Sequence, residues 1–336
     1  MREISYAQAI NEALKEEMRR DNRVFMIGED VAVHGGTYGL SKGLLEEFGE
    51  KRVKDTPISE AAIVGTGIGA ALTGLRPIVE LMYIDFTTVA MDQIVNQAAK
   101  LRYMTGGMAK LPLVIRTQGG SGTGEAAHHT QSLEAWFVHI PGLKVVMPST
   151  PFDAKGLFKT AVRDNNPVLF IDHKLLFPKK GSVPEEEYTI PFGKADIKRE
   201  GNDITIVATS LMIHRALSAA EELEKDGLTV EIIDPRTLVP FDKETLMNSV
   251  KKTGRLLILH EACTRGGIGG GIIREIIEDC FDYLDAPPRV LAGRNIPIPY
   301  APSLEKMAVP QQGDIVKTVI EMTKFSRRFS THIAKS

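Results

Sequence analysis

The sequence predicts an α/β protein of two domains, each a mainly parallel sheet flanked by helices. Three observations carry that expectation. At 336 residues the chain exceeds the usual span of one hydrophobic core. Short apolar, β-rich runs alternate with helical patterns, the rhythm of βα units around a parallel sheet. One stretch, KKGSVPEEEYTIPFGKADIKREGND, breaks the rhythm with glycines, prolines and clustered charge, and reads as an exposed crossing between domains. The expected boundaries are a first domain over 1–185, a linker over 186–200, a second domain over 201–325 and a tail over 326–336.

In chain order, the start, MREISYAQAINEALKEEMRRD, reads as an amphipathic helix without the apolar core of a secretory signal. Strands are expected at 24–27, 77–81, 113–116, 144–147 and 168–171. Continuous runs such as LPLVIR and PVLFID suit strands buried on both faces. Helices are expected at 60–72, 87–104, 133–139 and 151–163, the last starting after Ser149 and Thr150 with Asp153 in its first turn. From Asp203 the alternation resumes with ITIVATS, a helix through 216–223, TVEIID, a helix near 243–251 and RLLILHE. The end, SRRFSTHIAKS, loses apolar periodicity and is expected to fray.

Composition narrows the function classes. Hydrophobic residues at 43% and charged residues at 25% are ordinary for a globular chain. A formal charge of −2 points to no nucleic acid or other polyanion. Two cysteines, Cys263 and Cys280, stand outside any metal-ligand or CxxC spacing, so a reducing, cytoplasmic setting fits and a zinc site does not. No stretch is apolar for long enough to span a membrane.

Two glycine clusters admit a nucleotide-binding reading. GTGIGA at 65–70 approximates the dinucleotide fingerprint, but the preceding SEAAIV is already helical in composition, which favours glycines that let a buried helix pack closely. GGIGGG at 266–271 follows the strand RLLILHE and precedes IIREIIEDC, where it could cradle an anion or simply form a tight turn. Glu60 lies where an extended, Pro-containing segment meets an apolar helix. There it could be a tuned carboxylate or a simple complement to the helix dipole. His128 and His129 occupy the Gly- and Ser-rich loop GGSGTGEAAHHTQS after a strand, a place for proton-transfer chemistry or for a solvated pair. Phe86, just after another strand end, could be core or a platform for a flat ring.

The string RVKDTPISEAAIVGTGIGAALTGLRPIVELMYIDF, followed by HHTQSLEAWFVHIPGLKVVMPSTPFDAKGLFKTAVRDNNPV, resembles the beta subunits of pyruvate, branched-chain 2-oxo acid and acetoin dehydrogenases, relatives of transketolase. The likeness continues through YTIPFGKADIKREGNDITIVA and IIDPRTLVPFD. It implies a pyrimidine-binding domain followed by a transketolase C-terminal domain, with thiamine diphosphate held between two subunits. By this resemblance Glu60 hydrogen-bonds the aminopyrimidine nitrogen and promotes the tautomer that deprotonates the thiazolium carbon, the nucleophile toward the substrate carbonyl. Phe86 matches the aromatic residue packed on the pyrimidine, Ile58 an apolar neighbour, and His129 the histidine serving proton transfer or reductive acylation of a lipoyl group. His128 stands where the family commonly has glutamine, and Val89 replaces a glutamine of some relatives. A structural potassium ion is implied on backbone carbonyls at Leu113, Ala161, Val162, Asp164 and Asn166.

The family's GDG motif, which with a downstream asparagine binds the diphosphate and its divalent metal, does not occur in this sequence. The resemblance therefore implies an alpha subunit holding the Mg2+, an alpha2beta2 heterotetramer, and a lipoyl-bearing dihydrolipoyl acyltransferase as acceptor. Acetoin or pyruvate is the expected substrate, with a branched-chain 2-oxo acid third. An NAD-binding oxidoreductase built on residues 65–70 is the alternative outside the family.

Overall fold

The computed structural model describes residues 1–333. In the described residues the strands are, in order, β1 (Arg2–Ser5), β2 (Val24–Gly28), β3 (Val53–Asp55), β4 (Arg76–Leu81), β5 (Val114–Gly119), β6 (Lys144–Val146) and β7 (Val168–His173). They continue with β8 (Lys180–Val183), β9 (Asp196–Arg199), β10 (Ile204–Ala208), β11 (Val230–Asp234), β12 (Thr237–Val239), β13 (Leu256–Cys263) and β14 (Arg289–Gly293). The chain forms two compact units. One comprises Met1–Thr123, His128–Phe192 and Thr237–Pro240; the other comprises Gly124–Ala127, Gly193–Arg236 and the chain from Phe241 on.

The first unit is built on a seven-stranded sheet in the order β12-β6-β7-β5-β4-β2-β3. All its neighbours run parallel except β12, which is antiparallel to β6. Every residue of β2, β4, β5 and β7 is buried, as the unbroken apolar runs require of strands covered on both faces. Charge inside those strands must then be paired. Arg116 of β5 bridges Glu80 of β4 and, at 2.6 Å, Asp172 of β7, and the Tyr6 hydroxyl donates to Asp172 at 2.6 Å. Burial pushes the carboxyls of Glu80 and Asp172 up, against the pull of the guanidinium between them.

The helix Tyr6–Arg20 begins with a reciprocal cap, Ser5 Oγ accepting from Gln8 N–H and Gln8 Oε1 from Ser5 N–H. Its acids Glu12, Glu16 and Glu17 meet Lys155, Lys159 and Arg163 of the helix Pro151–Arg163. The glycines at 65–70 fall inside the helix Glu60–Leu72, not in a turn ahead of it. A Cβ on Gly67 would lie 2.6 Å from Val79 Cγ1 and 3.0 Å from Leu113 Cδ1, so this glycine is where the helix lies down on β4 and the residue before β5. The geometry is that of close packing, and it lacks the strand-to-helix turn that a dinucleotide site needs.

The second unit carries the sheet β14-β13-β10-β11-β9, parallel except for β9 against β11. Its helices include Leu211–Lys225, Lys243–Thr253, Ile268–Cys280 and Gln312–Ile333. Within 266–271, Gly266 takes a positive φ and Gly267 caps the helix Ile268–Cys280, with His260 packed beneath Gly267 and Gly269.

Four sequence expectations change. The N-terminal stretch opens as β1, paired with β8, before its helix starts. The expected helix over 87–104 is broken into a 3-10 turn Ile84–Thr88, a π-helical segment Gln93–Ala98 and a short α-helix Leu101–Met104. The expected linker supplies β9, which is hydrogen-bonded into the second sheet. The expected tail continues the helix Gln312–Ile333, because propagating a helix needs no apolar face of its own, while residues 334–336 lie outside the described residues. No helix among the described residues is long and apolar enough to cross a membrane.

Candidate functional site

In the large sheet β3 lies on one side of β2 and β4 on the other, so the chain reverses direction across the sheet at β2. Open parallel sheets place ligands at the carboxyl ends of the strands beside such a reversal. The residues singled out from sequence fall on those ends. Glu60 opens the helix that follows β3 and is only 6% exposed. Glu29 directly follows β2 and is buried. Burial pushes its carboxyl up, with the charge of Glu60 adding to the effect. Glu29 Oε1 has no hydrogen-bond partner among the described residues. The two loops are stitched together: Ala32 and Val33 N–H donate to Asp55 at 2.6 and 3.1 Å, and Thr56 N–H donates to the Gly28 carbonyl at 3.0 Å. Ile58, between them, projects outward and is 80% exposed.

A second group gathers on the loops after β4, β5 and β7. His129 meets the Phe86 ring edge-on at 5.3 Å and the Tyr83 ring at 5.6 Å. The backbone carbonyl of His129 accepts from Lys174 Nζ, which also lies 4.9 Å from the Tyr83 ring centre. Gln131 N–H donates to Asp85 Oδ1 at 3.2 Å, and the Gln131 carbonyl accepts from Gly120 N–H at 3.1 Å. Phe86 and His129 are thus brought together, His128 points to solvent and Val89 is exposed.

The five positions implied for potassium lie at the opposite, amino-terminal edge of the sheet. Leu113 precedes β5, and Ala161 to Asn166 run from the end of the helix Pro151–Arg163 to the start of β7. Leu111 N–H to the Asn165 carbonyl (3.0 Å) and Val168 N–H to the Leu113 carbonyl (2.9 Å) hold the two segments together. Arg76 donates to the carbonyls of Val162 at 2.8 Å and Asp164 at 2.5 Å. The carbonyls of Leu113, Val162 and Asp164 thus already accept hydrogen bonds within the chain. Among the described residues no three His, Cys, Asp or Glu side chains group as a metal site.

Sequence reasoning missed Glu29, Tyr83, Asp85 and Lys174. A signal existed for two of them, since Glu29 and Asp85 are acids at or near the ends of apolar strand runs, VFMIG and RPIVEL, where α/β proteins concentrate their polar chemistry.

A buried acid at a helix start, a second acid beside it and an aromatic ring on the same edge of the sheet suit a flat, nitrogen-containing cofactor ring. Comparison with known proteins agrees. Residues 2–180 match the family described as transketolase, pyrimidine binding domain, and residues 193–315 match transketolase, C-terminal domain. The chain is 48% identical to the 2-oxoisovalerate dehydrogenase subunit beta of Bacillus subtilis, with 96% of this chain and 99% of that one covered. It is 46% identical to the pyruvate dehydrogenase E1 component subunit beta of Rickettsia felis, with the same coverage. It is 47% identical to the acetoin:2,6-dichlorophenolindophenol oxidoreductase subunit beta of Bacillus subtilis, with 96% and 97% covered. A solved structure titled split gene transketolase, inactive beta4 tetramer, superposes with a TM-score of 0.78 at 22% identity over 96% of this chain and 99% of that one, a likeness of fold. The chain belongs to the family of 2-oxo acid and acetoin dehydrogenase beta subunits.

Proposed function

We propose that this chain supplies the cofactor-activating half of a thiamine diphosphate site, in an enzyme that takes acetoin or pyruvate and delivers the acyl group to a lipoyl acceptor. The observation that carries the reading is the buried carboxylate of Glu60 at the same carboxyl edge of the sheet as the Phe86 and His129 rings. Thiamine diphosphate, when bound, supplies the carbon nucleophile that attacks the substrate carbonyl.

Glu60 accepts the hydrogen bond of the aminopyrimidine ring nitrogen and sets its protonation. Low exposure strengthens that bond by keeping water from competing, and burial together with the nearby charge of Glu60 raises the proton affinity of Glu29 beside it. Phe86 offers a ring face for the pyrimidine, and Ile58 an apolar cover. His129, half-buried and held by its own backbone, delivers a proton during acyl transfer. As the lipoyl disulfide breaks, one sulfur bonds the acyl carbon and the other takes that proton. The diphosphate and Mg2+ fall to an alpha subunit, in an alpha2beta2 heterotetramer served by a dihydrolipoyl acyltransferase in the cytoplasm. Potassium at the carbonyls of Leu113, Ala161, Val162, Asp164 and Asn166 steadies the far edge of the sheet.

The test is reconstitution with the alpha subunit and a dye acceptor, using acetoin, pyruvate and 2-oxoisovalerate in parallel. Glu60→Gln is expected to lower turnover by roughly 100-fold or more while the assembly still binds the cofactor. Turnover by the beta chain alone, or a fully active Glu60→Gln assembly, would refute the proposal. Binding heat from NAD titrated into the chain would favour the oxidoreductase alternative instead.

A further inference from the structure

The loop that carries His129 begins GGSGTG, and Gly120, Gly122 and Gly124 all take positive φ, which glycine adopts without strain. Contacts from other segments reach His129 and its neighbours. Lys174 holds the carbonyl of His129, Tyr83 and Phe86 flank its ring, and Asp85 holds the N–H of Gln131, two residues on, at 3.2 Å. Gly120 N–H takes the Gln131 carbonyl at 3.1 Å, so the Gln131 residue is gripped through both its backbone groups.

Asp85 stands out among these. It is 4% exposed, and its Oδ2 has no hydrogen-bond partner among the described residues. A buried carboxylate so sparsely bonded costs stability, and an apolar residue would pack there at less cost. What its side chain gains is the tie between the loop bearing Phe86 and the loop bearing His129. We propose that Asp85 is a positioning residue that sets His129 against the ring cluster for acyl transfer to the lipoyl acceptor, an inference that rests on the role given to His129 above.

Two rates measured on the alpha–beta assembly separate the possibilities. Reduction of 2,6-dichlorophenolindophenol reads cofactor activation, and acylation of a purified lipoyl domain reads the step assigned to His129. Asp85→Ala is expected to lower lipoyl acylation on the order of 100-fold more than dye reduction, the scale of a reacting group displaced by about 1 Å. Asp85→Asn keeps a carbonyl acceptor for Gln131 N–H and should restore most of the lost acylation. Should Asp85→Ala fail to assemble, Lys174→Met loosens the same segment at the carbonyl of His129 and must give the same split. Equal loss of both rates, or acylation at the parent rate, overturns the positioning role. Failure of the underlying reading looks different: His129→Ala would then acylate the lipoyl domain as fast as the parent.

Discussion

Gly67 offers a quantitative test of how the helix bearing Glu60 is seated. A methyl added there lands 2.6 Å from Val79 Cγ1, well inside van der Waals contact, and 3.0 Å from Leu113 Cδ1. The leucine methyl is the far end of a flexible side chain, whereas the β-branched valine in a fully buried strand has little freedom to turn away. Overpacking of this kind costs about 1–3 kcal/mol, and replacing a mid-helix glycine by alanine returns about 1 kcal/mol, so Gly67→Ala alone should destabilise by roughly 0–2 kcal/mol. Val79→Ala alone opens a void and costs about 2 kcal/mol. In the double variant the new methyl occupies space that the valine vacated. The two changes should therefore fall short of additivity by about 1–3 kcal/mol in the stabilising direction. Urea unfolding of the four proteins of the cycle, followed by circular dichroism, measures the coupling. Strict additivity within about 0.5 kcal/mol would refute the idea that Gly67 exists for contact with β4.

Other outcomes can be checked with the same assays. Arg116→Met leaves Glu80 and Asp172 buried without their cation and should cost about 3–5 kcal/mol, seen as a fall in thermal midpoint, while apolar replacement of all three recovers much of it. Burial holds the His260 imidazole down to about 4 from 6.5. The unfolded chain then binds a proton that the folded one refuses, so stability drains as pH falls from about 6.5 toward 4, by up to about 3 kcal/mol. A unfolding-midpoint profile for His260→Gln that keeps this slope would count against it. Glu29→Gln should raise the thermal midpoint at pH 8 but not at pH 4, because a carboxyl pushed up by burial loses its contribution as pH rises through its folded value. Thr150→Ala removes the acceptor of Asp153 N–H at 3.1 Å and should cost about 1 kcal/mol.

The parallel strands were legible because burial on both faces leaves continuous apolar runs, as in VFMIG and VLFIDH. The edge strands were not. Lys180–Val183 and Asp196–Arg199 are largely uncovered and lie within charged sequence, so their strand character comes from pairing partners far along the chain. The segment 87–104 has helical composition, yet tertiary packing imposes a π-helical turn in its middle that no propensity encodes. At the site, local physics left Glu60 no more than an acid at a helix start. Its environment depends on Glu29, which is 31 positions earlier and reaches it only through sheet order. Lys174 was invisible for the same reason, and the position of Asp85 gave no hint of its partner, as both act through backbone groups of a loop that neither adjoins in sequence.

The strand Thr237–Val239 closes the large sheet against β6, although the chain reaches it only after three strands of the smaller sheet have been laid down. A fragment ending at the covalent crossing would leave Val145 and Val146 as a bare parallel-sheet edge, open to self-association. The two units are therefore poor candidates for dissection into separately expressed pieces. A split design that keeps the large sheet whole must carry a copy of residues 237–240 with the first piece, because a cut after Pro240 would part β9, β10 and β11 from the rest of their sheet.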